Sequence, residues 1–76
     1  MPELPVLSGR EARRAFERVG WVFRRQHGSH MILTRSGSLV SLSIPDHGEL
    51  APGTLRKLIG LAGTTVEEFA QALRDS

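Results

Sequence analysis

The spacing of apolar residues changes period along this chain, and each change marks an element. Ala12, Ala15, Phe16 and Val19 recur at helical intervals, behind Ser8 and Glu11 at capping-box distance and ahead of Gly20, a residue suited to the position past a helix end. The spacing predicts a first helix over about 8–19. Three short segments follow, Trp21–His27, His30–Thr34 and Leu39–Ile44, separated by Gly28-Ser29 and Ser36-Gly37-Ser38. Breaks of this kind close hairpins, so the segments predict a three-stranded antiparallel meander. Beyond it Pro52 suits a first helical turn, and Leu55, Leu58, Ile59 and Ala62 form one stripe that Gly63 ends. Thr64 and Glu67 repeat the capping-box spacing ahead of Val66, Phe69, Ala70 and Leu73, the stripe of a short last helix. The expected class is α+β: an αβββα order with the sheet covered by helices on one face, plus the short C-terminal helix.

Strand parity then sorts side chains by face. A two-residue turn at Ser36-Gly37 sets Leu33 opposite Val40 and Met31 opposite Leu42, so that Met31, Leu33, Val40, Leu42 and Ile44 share the helix-facing side. With them Phe16, Leu55, Leu58 and Ile59 are the expected core. His30, Ile32, Thr34, Ser41 and Ser43 then point the other way, a side too polar for a second core, and His30 is expected to be accessible. In the first hairpin a two-residue loop would expose Trp21 and Phe23 while burying Arg24. An odd-length loop with Gly28 in a left-handed bulge avoids this exchange, and sets Arg24 and Gln26 beside His30.

At 76 residues the chain is expected to be one domain over 1–76. A core of that size rarely supplies more than about 3–5 kcal/mol, and the absence of Cys removes disulfides and thiolate-held metals as support, leaving a protein partner to add it. The opening Met1–Gly9 has neither the basic start nor the apolar stretch of a signal peptide, and no apolar run approaches the roughly 18 residues of a membrane span. The expected setting is the cytoplasm, with no membrane association.

Charge adds a direction. Arg10, Arg13, Arg14, Arg18, Arg24, Arg25 and Arg35 crowd the first half against Glu3, Glu11 and Glu17, whereas acids outnumber bases in the second. Nine of the ten basic residues are Arg, whose planar fork fits phosphate oxygens, so a polyanion such as RNA is the natural partner.

Among groups able to do chemistry, His27, His30 and His47 stand out, because imidazole, with an ordinary pKa of about 6.5, moves protons near neutral pH. RNA cleavage requires a base for the ribose 2′-OH and cationic groups for the charge gathering on the phosphate, and needs no metal in principle. His27 and His30 lie close in sequence but bring no third metal ligand by spacing. Asp46-His47 reads as a turn pair, there being no nucleophile elbow. Neither a P-loop nor a dinucleotide fingerprint occurs.

Two stretches resemble a known family. Gly28-Ser29-His30 with the preceding Arg25-Gln26, and Pro45…His47-Gly48…Gly53-Thr54-Leu55 before helix two, occur in the order and at the distances of the HicA toxins, and the likeness extends over nearly the whole chain. The resemblance implies a fold related to double-stranded RNA-binding domains, an endoribonuclease activity on messenger RNA, inhibition by a HicB-type antitoxin, and His30 as the catalytic residue. Asp46 departs from the pattern, where an apolar residue is common, and Lys is nearly absent.

Together these readings lead us to expect a metal-independent endoribonuclease without cofactors. His30 is the proton-transfer residue; Arg24, Arg25, Gln26 and Ser29 are its RNA-contacting neighbours. The alternatives are a non-catalytic RNA-binding module of the same shape, which would not need His30, and a protein-interaction domain docking a partner on its polar face or edge strand.

Overall fold

A computed structural model describes residues 4–75; the first three residues of the Met1–Gly9 stretch, on which the signal-peptide expectation rests, lie outside them. The order is α1 (Gly9–Arg18), β1 (Val22–His27), β2 (His30–Thr34), β3 (Leu42–Pro45), α2 (Pro52–Leu61) and α3 (Val66–Arg74). The strands form one antiparallel sheet in the order β1-β2-β3, and the class is the expected α+β fold related to double-stranded RNA-binding domains.

The helix ends follow the local signals. Ser8 caps α1 in a complete capping box, its hydroxyl accepting from Glu11 N–H while the Glu11 carboxylate accepts from Ser8 N–H. At the other end Trp21 N–H reaches Phe16 O at 3.1 Å and Gly20 N–H reaches Glu17 O at 3.2 Å, the paired bonds of a Schellman close. α2 begins at Pro52 and closes in the same way, with Gly63 N–H on Gly60 O and Thr64 N–H on Ile59 O. That last bond corrects the start of α3. Because Thr64 completes α2, the cap is Thr65 with Glu68, one residue later than Thr64 and Glu67.

One core lies between the sheet and the helices. Met31, Leu33, Leu42 and Ile44 rise from the sheet to meet Phe16, Leu55, Leu58, Ile59 and Ala62, all buried, with Trp21 sealed beneath the start of β1. Phe16 and Phe69 stack with ring centroids 4.8 Å apart and so join α1 to α3. At about 1.5–3 kcal/mol for each fully buried large apolar side chain, this cluster is the main stabilising term.

Val40 does not join it. β2 and β3 pair as Leu33↔Leu42 and Met31↔Ile44, two residues from the expected register, and Val40 lies outside the strand and exposed. The cause is local: the Ser38 hydroxyl accepts from Val40 N–H and donates to Val40 O, diverting that backbone from the ladder. A slip of two keeps every side chain on its face. Leu42 is therefore buried and Ser41 exposed, as parity requires.

Candidate active site

The polar face of the sheet converges on the β1–β2 hairpin tip. His27 and His30 are direct cross-strand partners, so the connection is the two residues Gly28-Ser29 and not an odd-length loop. Gly28 has φ +59° and Ser29 a negative φ, the arrangement of a type II′ turn, which follows the natural twist of two strands. The parity change needed to bury Trp21 and turn Phe23 toward the core, where it is half-buried, occurs inside β1 instead. Phe23 pairs with Leu33 and Arg25 with Ile32, leaving Arg24 as the extra residue of a bulge.

This relocation decides which neighbours His30 has. Arg24, pushed out by the bulge, donates through Nε to Thr34 Oγ1 at 2.7 Å on the polar face. Arg25 shares that face, opposite Ile32 and so diagonally across from His30, and His27 stands directly opposite His30. Gln26 does not join them: it is opposite Met31, on the helix side, where its amide donates to Gly28 O at 3.1 Å. Ser29 is exposed in the turn itself. The sequence offers His27 only as one of three imidazoles and assigns it no role; its pairing with His30 follows once the loop is two residues long, which makes His-x-x-His around a Gly-Ser turn a cross-strand pair.

The tip is braced from β3 and from the loop behind it. His30 pairs with Pro45, and Asp46 N–H donates to Ser29 O at 2.7 Å. His47 offers its carbonyl to Gly9 N–H at 2.8 Å, tying the loop to the start of α1. Arg10 reaches across to Asp46, Nε to Oδ1 at 3.2 Å.

On the helix side of the tip lies a groove of about 340 Å³ lined by Arg10, Arg13, Arg14, Glu17, Gln26, Met31 and Asp46. Arg13 stacks 3.8 Å above the Phe23 ring and approaches Glu17 at 3.4 Å, while Arg14 and Arg18 form no ion pair among the described residues. The groove and the His face meet at the tip, because His30 and Met31 are neighbours pointing to opposite sides. A second hollow of about 320 Å³ lies between β3 and α2, lined by Ser41, Ser43, Thr54, Lys57, Leu58 and Leu61. Among the described residues no three of His, Cys, Asp and Glu gather as a metal-holding group, and no helix is long and apolar enough to cross a membrane.

Comparison with known families adds the identity. A family model described as the HicA toxin of bacterial toxin-antitoxin matches residues 9–64, from the first residue of α1 to three residues past the end of α2. The chain belongs to the HicA toxin family. None of the curated proteins matches it. This HicA-family chain is accordingly a toxin of a toxin–antitoxin system, with an antitoxin as its partner. The matched span includes the whole sheet, the hairpin tip and the loop around His47.

Proposed function

We propose that this toxin is an endoribonuclease that cuts messenger RNA by metal-independent acid–base chemistry at His30, acts as one domain over residues 1–76 in the cytoplasm, and is held inactive by a HicB-type antitoxin. The observation that carries the reading is the position of His30. It is an exposed imidazole at the first residue of β2, on a polar sheet face, at the end of a hairpin braced by hydrogen bonds from two directions. An enzyme needs its proton-transfer group both accessible and held still.

The base takes the ribose 2′-OH proton, and the freed oxygen attacks the adjacent phosphorus. Arg24 and Arg25 supply positive charge on the same face, where charge accumulates on the phosphate oxygens. Ser29 offers a hydroxyl beside His30, and Gln26 serves from the opposite side, lining the Arg groove through which the flanking strand approaches. The Arg residues of α1 draw the polyanion toward that groove.

The test compares wild type and His30→Ala on a long RNA in the presence of a chelator, with a melting curve for each protein. Loss of about 10²–10⁴-fold in cleavage is expected, the usual range for one positioned acid or base. The melting temperature should barely move, since an exposed substitution costs at most about 0.5 kcal/mol. Equal cleavage by both proteins overturns the assignment of His30. Cleavage by neither, with RNA still bound, replaces the enzyme by an RNA-binding module.

A further inference from the structure

The register puts a second imidazole within the site. His27 ends β1, His30 begins β2, and the two face each other across Gly28-Ser29. Residues directly opposite in an antiparallel pair point to the same face with Cβ atoms about 4.5–5.5 Å apart. Both side chains are exposed. Their relative position is set by a frame and not by a loose loop: the Gln26 amide holds the Gly28 carbonyl from β1, and Asp46 N–H holds the Ser29 carbonyl from the end of β3.

Cutting RNA through its own 2′-OH takes two proton transfers. One group removes the 2′-OH proton as the bond from the 2′-oxygen to phosphorus forms. Another gives a proton to the 5′-oxygen as its bond to phosphorus breaks, leaving a 2′,3′-cyclic phosphate on one fragment and a 5′-OH on the other. Among the polar side chains of this face, β1 contributes Arg24, Arg25 and His27, β2 contributes His30 and Thr34, and β3 contributes only Ser43. Guanidinium groups hold their protons and hydroxyls are poor acids near neutral pH, so neither class serves the leaving group. His47 lies past β3, in the loop whose backbone is tied to α1.

We infer that His27 is the second catalytic residue, the general acid that protonates the leaving 5′-oxygen while His30 acts as the base. The assignment rests on the proposed role of His30. After each turnover His30 carries the proton from the 2′-OH and His27 is neutral; exchange with water restores both.

The test uses two RNAs of one sequence containing a position that wild type is first shown to cut. One is all-oxygen RNA, and in the other the 5′-bridging oxygen of that linkage is replaced by sulfur, a leaving group that needs no proton. His27→Ala and His27→Gln should lose about 10²–10³-fold on the all-oxygen RNA, within the range for one general acid. Both should come within about tenfold of wild type on the sulfur-containing RNA, whereas His30→Ala stays slow on both. A purely structural or RNA-binding role for His27 would slow both substrates alike, and that result, or full activity of either His27 variant on all-oxygen RNA, overturns the inference. Full activity of His30→Ala instead removes the reading on which it rests.

Discussion

Arg10, in the first turn of α1, grips Asp46 just past β3 with two nitrogens, Nε to Oδ1 at 3.2 Å and Nη2 to Oδ2 at 3.5 Å. This contact gives the Asp46 carboxylate a structural use: it fastens the loop that also supports Ser29. The Arg10 side chain is 75% exposed and that of Asp46 23%, so solvent screens the pair. A double-mutant cycle with Arg10→Ala and Asp46→Ala should give a coupling of about 0.2–1 kcal/mol at low salt, shrinking toward zero in about 1 M salt. Coupling that ignores salt would show that the contact acts by packing instead of charge.

Two glycines in helices should respond in opposite directions to alanine. At Gly9 an added Cβ would collide with the carbonyl oxygen of Pro45, and the adjacent Gly9 N–H to His47 O bond prevents α1 from drawing back. Gly9→Ala should therefore cost about 1–3 kcal/mol, as overpacking does. Gly60, on the exposed side of α2 with open space around it, should gain up to about 1 kcal/mol as Ala from helix propensity alone. Urea melts of the two variants decide the matter, and a neutral Gly9→Ala would mean that α1 and the Pro45 loop can separate.

Acid should loosen both capping boxes. Glu11 and Glu68 are held below the ordinary carboxylate value, foremost because the backbone N–H of Ser8 and of Thr65, respectively, donates to the ionised carboxylate, with the capping hydroxyls adding to the effect. A group whose folded value is depressed contributes stability above its unfolded value, about 4.3 for Glu, and that contribution disappears as pH falls through the lowered folded value. Melting temperature should thus drop below about pH 4.3 in wild type, and drop less in a Glu11→Gln/Glu68→Gln double variant, which keeps the acceptor oxygens without the titration. Identical acid profiles would show that the boxes do not contribute to acid sensitivity.

The elements, the buried faces and the prominence of His30 were legible in the residue order because they depend on near neighbours. Ser8 and Glu11 cap α1 three positions apart, and the stripe from Phe16 to Val19 or the alternation through Met31 and Leu33 states which side is buried whatever lies opposite. Even the two-residue slip that exposes Val40 left those faces intact, since a strand repeats every second residue. Tertiary structure decided what depends on residues meeting from afar. Placing Trp21 in the core and Phe23 against it required a change of parity somewhere between Trp21 and Met31, and only the pairing of whole strands shows that Arg24, and not Gly28, absorbs it. That choice turns Gln26 toward the helices and brings His27 to His30. Arg10 and Asp46, 36 positions apart, meet only once α1 has settled against the end of β3. Periodicity and caps are written in consecutive residues, whereas bulges, registers and ion pairs are set by which distant surfaces must fit together.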